Sequence, residues 1–307
     1  NPSPRECAVR LQGLNITLWE RAPKNPDFMS IRVGIGYEPL CVPIKAPLDT
    51  SGIQMENDEV ELLAQEIIEE NHIVDKVPTR VDLRQYRSCA VIGRREQVVS
   101  LVKNMLVTLT YEHFFREVKV VGIFDEEEKE LWSSIRWLPH VWDAEEKTRY
   151  LAFDAAGAEN LDEHFHELFR RTEQRDTTYY FFIIGSQHAA ERLKLISDVL
   201  DESSNVNATI LFACNMGDMS ADEQQRYLNK DCSYIINLDY LSGPCCYDVE
   251  HTEKKVLFTP DPILSEDEFD GYCRMLSAVE VADGATQEEI PNCVTFLQGM
   301  QVDHVEE

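Results

Sequence analysis

Short apolar runs alternate with stretches of helical periodicity along most of this chain. Thr178-Tyr179-Tyr180-Phe181-Phe182-Ile183-Ile184 is the most apolar run, and segments 89–92, 118–124, 208–213 and 234–238 are of the same kind. Strands that are apolar almost throughout are covered on both faces, which predicts a mainly parallel sheet between two helical layers. Val98, Val102, Met105 and Leu109 mark one face of a helix over 96–114. An acidic helix is predicted over about 126–135, a strand over 148–153, a helix through Leu161, Phe165 and Leu168, and another over 187–200. Ser220 to Glu223 signals a further helix start, and 245–258 reads as a hairpin on Tyr247, Val249, Val256 and Phe258. Ser265 to Glu268 caps a last helix carried by Phe269, Tyr272, Leu276 and Val279.

The first quarter is less regular. Ser3-Pro4-Arg5-Glu6 is a capping box with proline at the first helical position, and Cys7, Leu11, Leu14 and Leu18 extend the predicted helix to about Trp19. A strand ending in glycines follows over 30–36, and 37–57 reads as strand and loop. A second capping signal at Asp58 to Glu61 opens a helix striped by Val60, Leu63, Ile67 and Ile68. Pro78 punctuates the chain before a short strand over 80–83, and 281–307 is polar with little periodicity. No internal repeat or low-complexity segment is found.

Charge narrows the function classes. The 307 residues include 56 acidic and 29 basic side chains, a formal net charge of −27. Nucleic-acid binders neutralise phosphates with Lys and Arg, so this balance argues against nucleic acid and equally against an anionic membrane surface. The nine cysteines have no CxxC pair and no metal-type spacing. They read as reduced core residues of a cytosolic protein, and the sequons at Asn15 and Asn207 as chance. No signal peptide and no 18-residue apolar stretch is present. The chain opens Asn-Pro-Ser-Pro without an initiator Met and is expected to be part of a longer protein whose membrane spans lie elsewhere.

The chemistry is concentrated where the run Cys89-Ala90-Val91-Ile92 meets Gly93-Arg94-Arg95-Glu96-Gln97-Val98-Val99-Ser100. Strand, glycine and helix come in the order of a phosphate-binding loop. A working loop needs a second glycine for backbone approach, a lysine for the β and γ oxygens and a hydroxyl for the metal. With Gly93 in first place, the second glycine is Val98 and the lysine is Val99; only Ser100 remains. Arg94 and Arg95 offer an alternative cation, because arginine holds phosphate bidentately; the competing reading is that they are solvated or pair with carboxylates. The metal-holding acid is expected at the end of the strand 178–184, which instead continues Gly185-Ser186-Gln187. Asp125 also ends an apolar strand, but a charged turn is its commoner role. His164 and His166, two apart on a helix, do not face each other. His140, between Trp137 and Trp142, reads as a packed or interface residue rather than a catalyst. No catalytic residue, metal site or cofactor is assigned.

Three phrases carry a family resemblance. They are Leu18-Trp19-Glu20-Arg21-Ala22-Pro23-Lys24-Asn25-Pro26-Asp27-Phe28-Met29-Ser30-Ile31-Arg32-Val33-Gly34, then Trp137-Leu138-Pro139-His140-Val141-Trp142, then Ile290-Pro291-Asn292-Cys293-Val294-Thr295-Phe296-Leu297. In that order they resemble the juxtamembrane, degenerate ATPase-like domain of the FtsK/SpoIIIE-type coupling ATPases of bacterial type VII secretion, in their EssC/YukB form. The resemblance implies a cytoplasmic domain of a cell-membrane protein, placed between membrane anchor and motor. It implies as partners the membrane subunits of the secretion system, the following ATPase domains of the same chain and WXG100-type substrates. It implies a hexameric parent, with the fragment alone monomeric.

The expected fold is an α/β, RecA-like (P-loop NTPase-like) three-layer sandwich over 78–280. An N-terminal helix and β-rich segment over 1–77 is expected to pack on it, with 281–307 a linker to the next ATPase domain. The expected function is a non-catalytic ATPase-like coupling module without bound cofactor. The alternative is a divergent NTPase working through Arg94 or Arg95. A third class is a regulatory module that binds a partner through its acidic surface.

Overall fold

The computed structural model describes residues 1–39, 66–68, 73–171, 177–186, 190, 192–201, 206–215 and 232–281. Among the described residues ten strands form one sheet: β1 (Ser30–Pro39), β2 (Ile73–Asp82), β3 (Ser88–Gly93), β4 (Val118–Ile123), β5 (Leu151–Ala152), β6 (Tyr179–Ile184), β7 (Ala208–Asn215), β8 (Tyr234–Asn237), β9 (Cys245–Asp248) and β10 (Val256–Pro260). The order is β2-β1-β10-β9-β8-β3-β7-β6-β4-β5. From β8 to β5 all pairs are parallel; from β2 to β8 all are antiparallel. The parallel half, with β3 beside β7 and β7 beside β6, is the RecA-like core of an α/β sandwich. The antiparallel half joins the N-terminal strands to it through β10, so the expected β-rich segment continues the same sheet.

Every residue of β3, β4 and β6 is buried, as their apolar runs require. On one face lie α4 (Ala155–Arg171) and α5 (Lys194–Leu200). Their Leu161, Phe165, Leu195 and Val199 pack against Ile92, Val121, Phe182 and Phe212. On the other lie α1 (Pro4–Gln12), α2 (Arg95–Glu112) and α6 (Glu266–Ser277). Helix α2 is buried nearly all round, and several of its polar groups have internal partners. Lys103 Nζ donates to both Glu266 oxygens at 2.7 and 2.6 Å, Asn104 Nδ2 to Asp261 O at 3.1 Å, and Thr110 Oγ1 sits 2.9 Å from Tyr272 Oη.

Several boundaries differ from the sequence expectation. Helix α1 stops at Gln12, not Trp19: Gly13 caps it, Leu14 has φ +43°, and Asn15 Oδ1 takes the Thr17 N–H at 3.0 Å. Pro78 lies inside β2, tolerated because β2 is the sheet edge. The acidic helix over 126–135 is a chain of short turns: a 3₁₀ turn at Glu126–Glu128, one α-turn (α3, Lys129–Trp132) and a second 3₁₀ turn at Ser133–Trp137. The strand over 148–153 shrinks to β5, because Tyr150 donates its N–H to Val141 O at 2.7 Å and Asp143 donates to Thr148 O at 2.9 Å. Of the helix expected over 187–200, Lys194–Leu200 is helical, opening where Asp162 Oδ1 accepts from Leu195 N at 2.8 Å, while 187–189 and 191 lie outside the described residues. Most of the helix expected after Asp58 lies outside the described residues, 66–68 being helical, and the one expected after Ser220 lies wholly outside them.

Asn1–Ser277 form one compact unit and Ala278–Glu307 a second, described only to residue 281. No helix among the described residues is long and apolar enough to cross a membrane.

Two of the quoted phrases meet at the C-terminal end of α2. A helix leaves its last carbonyls without intrahelical donors. Here Trp19 Nε1 donates to Thr110 O at 3.1 Å, Trp19 N to Tyr111 O at 2.8 Å and Arg21 N to Glu112 O at 2.9 Å. One residue on, His140 Nε2 donates to His113 O at 2.9 Å. His113 Nδ1 donates to Leu109 O and its Nε2 accepts the Met29 N–H at 3.0 Å, which fixes a neutral tautomer. Both imidazoles are fully buried. Burial lowers His113 to about 4 and His140 to about 3. His140 is therefore the packed residue the sequence suggested.

Candidate functional site

The junction of β3 and α2 holds the residues singled out for phosphate binding, but there is almost no loop there. Gly93 ends β3, Arg94 is extended, and α2 begins at Arg95. Gln97 and Val98 already donate their N–H groups to Arg94 O, at 2.9 and 3.0 Å. The Arg94 N–H donates to Gln97 Oε1 at 3.3 Å. Val98 and Val99 are core residues, 0% and 5% exposed, and their burial draws the helix start up to the strand. Ser100 Oγ donates to Glu96 O of its own helix at 2.5 Å. Gly93 serves packing: a Cβ there would lie 2.9 Å from Leu238 Cβ.

At the end of β6, where a metal-holding acid is sought, an aromatic ring fills the space. The ring of Phe124 stacks on Trp132, with centroids 4.5 Å apart and planes 16° apart, and on Phe153 at 5.8 Å. Gly185 lies against its edge, and a Cβ there would be 2.6 Å from Phe124 Cδ1. A side chain at 185 would have to displace a stacked ring. Ser186, the next residue, is buried, and its carbonyl accepts from Ala190 N at 3.1 Å. Trp132 is fully buried in this stack and fills the core there.

Arg95 and Gly185 meet at Glu128. The Arg95 guanidinium donates from Nη1 to Ala213 O at 3.2 Å and pairs through Nη2 with Glu128 Oε2. The same oxygen accepts from Trp132 Nε1 at 3.2 Å. It lies 3.4 Å from where a Gly185 Cβ would stand. Arg94 is exposed. The sequence reading named Arg95 but not Glu128; the available signal was Trp132 four residues on, which places an indole donor over the same short turn.

The remaining candidates lie apart. Asp125, Glu126 and Glu127 line a cavity of about 500 Å³ at the C-terminal ends of β4 and β6, floored by Ile123, Phe124 and Phe153. No group of three or more potential metal ligands occurs among the described residues. His166 Nδ1 is 2.6 Å from Asp198 Oδ2, while His164 rests on the ring of Tyr150, so the two do not share a ligand. Cys7, Cys89, Cys232, Cys245, Cys246 and Cys273 are buried free thiols.

No model of a known protein family matches the chain. Among curated proteins, it is similar to the ESX secretion system protein EccC of Geobacillus thermodenitrificans (strain NG80-2), with 20% identity over 98% of this chain and 20% of that one. It is similar to the ESX secretion system protein YukB of Bacillus subtilis (strain 168), with 18% identity over 100% of this chain and 20% of that one. It is also similar to the ESX-5 secretion system protein EccC5 of Mycobacterium tuberculosis (strain ATCC 25618 / H37Rv), with 30% identity over 47% of this chain and 10% of that one. The chain spans about a fifth of the two relatives it matches end to end. Among solved structures, the cytoplasmic domain of the Thermomonospora curvata type VII secretion ATPase EccC superposes with a TM-score of 0.49 at 14% identity, over 91% of this chain and 33% of that one.

Proposed function

We propose, from the kinship of this chain with the EssC/YukB-type ATPases of type VII (ESX) secretion, that it is a non-catalytic, ATPase-like coupling module of such a machine. It sits on the cytoplasmic side of the membrane and joins the membrane subunits to the following ATPase domains of its parent. It transmits position by protein contact during export of WXG100-type proteins. Within a hexameric parent, the module is a structural member of the ring and contributes no turnover.

The observation that carries this reading is the junction of β3 with α2. Seating a triphosphate there needs backbone amides held open round the phosphates, a lysine ammonium, and an acid for magnesium. The amides of Gln97 and Val98 are engaged within the helix, valine stands at the lysine position, and Phe124 fills the space beside Gly185. These residues do not fit Mg-ATP.

Calorimetric titration of the purified chain with Mg-ATP tests this. No heat of binding at high ligand is the expected result. Saturable micromolar binding, lost in Arg95→Ala, would favour the divergent NTPase instead.

A further inference from the structure

The turn Glu126–Glu128 carries three consecutive carboxylates, and they do not do the same thing. Glu126 and Glu127 are exposed at the 500 Å³ cavity. Glu128 turns the other way, into the space between the start of α2 and the end of β6. Its Oε2 meets the Arg95 guanidinium, accepts from Trp132 Nε1 at 3.2 Å, and faces Gly185. The Arg95 and Glu128 side chains are only 22% and 20% exposed, so water screens the pair less than an open surface pair. Arg95 is held from a second side by Ala213 O at 3.2 Å. Its Nε is buried with no hydrogen-bond partner among the described residues.

A helix start and a guanidinium together favour an oxyanion. In this molecule the oxyanion is part of the chain. We propose that Glu128 is a built-in anion that occupies the place of a phosphate and keeps Arg95 from any external one. The carboxylate is tied to the Trp132–Phe124 stack, so the same contact fixes the β4 turn against the start of α2. Removing its charge uncovers a site for a small oxyanion of the inorganic phosphate class, held by Arg95. This rests on the reading that the native junction seats no Mg-triphosphate.

The test is a titration of the whole chain with inorganic phosphate in metal-free buffer, followed by ³¹P NMR. Glu128→Gln keeps an oxygen for Trp132 Nε1 and loses the charge. It is expected to bind phosphate about tenfold more tightly than the native protein, as one charge-assisted fork contact provides. The gain is expected to vanish when Arg95→Ala is added. Equal affinities of E128Q and native protein, or a gain that survives loss of Arg95, would overturn the proposal. If E128Q folds poorly, its melting midpoint is compared in phosphate and in chloride at equal ionic strength. A rise specific to phosphate supports the proposal, and equal midpoints refute it. Mg-ATP binding by the native protein would defeat the functional reading; an unchanged E128Q would defeat the built-in anion alone.

Discussion

Replacing Glu112 with glutamine is expected to make the protein more sensitive to acid, although it removes a titrating acid. Glu112 ends α2 in a buried polar cluster. Its carboxylate lies 3.0 Å from Arg21 Nη1, yet burial outweighs the guanidinium and raises it from 4.5 to about 7. A raised carboxylate stabilises the fold below its ordinary 4.5 and loses that contribution as pH rises through about 7. His113 and His140 act in the opposite sense. Both are lowered from 6.5, to about 4 and about 3, so their contribution is complete above 6.5 and is lost as pH falls below it.

At about 1.4 kcal/mol per pH unit and proton, moving from pH 7 to 5 makes the two histidines together cost about 4 kcal/mol, while Glu112 returns about 2 kcal/mol. Glu117, also raised by burial, adds to Glu112's side. The native protein is therefore expected to lose about 2 kcal/mol or less over this range, and E112Q about 2 kcal/mol more than the native protein. Urea melts followed by tryptophan fluorescence at both pH values measure the difference. Equal losses in the two proteins would show that Glu112 is ionised throughout, held by Arg21, and would refute the reasoning.

Three further outcomes follow from the packing. Trp19→Phe keeps the ring beside Phe114 and Phe115 but deletes the donor to Thr110 O, and is expected to cost about 1 kcal/mol in a urea melt. Gly185→Asp is expected to destabilise by about 2 kcal/mol or more, because its Cβ meets Phe124, and added magnesium is not expected to restore the melting midpoint. Phe165→Ala, at the centre of the α4 face with five ring neighbours within 6 Å, is expected to cost about 3–5 kcal/mol; a loss under about 1 kcal/mol would mean that this face is loosely packed.

What the chain reveals before folding depends on how local the cause is. Strands β3, β4 and β6 are legible because burial on both faces leaves continuous apolar runs. The start of α6 is legible because Ser265 and Glu268 form their capping box within four residues, with Ser265 N to Glu268 Oε2 at 2.8 Å and Glu268 N to Ser265 Oγ at 3.3 Å. The end of α1 was misplaced because Leu14 and Leu18 keep helical spacing, while Trp19 N–H is claimed by Tyr111 O, far away in sequence. The turns after β4 were misread for a similar reason, since Trp132 is pulled into a stack with Phe124 and Phe153 that no periodicity announces. At the site, the missing lysine and acid could be read directly from Val99 and Gly185. Glu128 could not, because only the folded turn distinguishes it from Glu126 and Glu127.

Electron density at the β3–α2 junction decides the matter most directly. Crystals of the protein soaked with Mg²⁺ and a non-hydrolysable ATP analogue are expected to show Arg95 still paired with Glu128 and no triphosphate beside Gly93 or Gly185. A triphosphate seated there with its magnesium, and Arg95 swung onto the phosphates, would mean that this domain is a working nucleotide site after all.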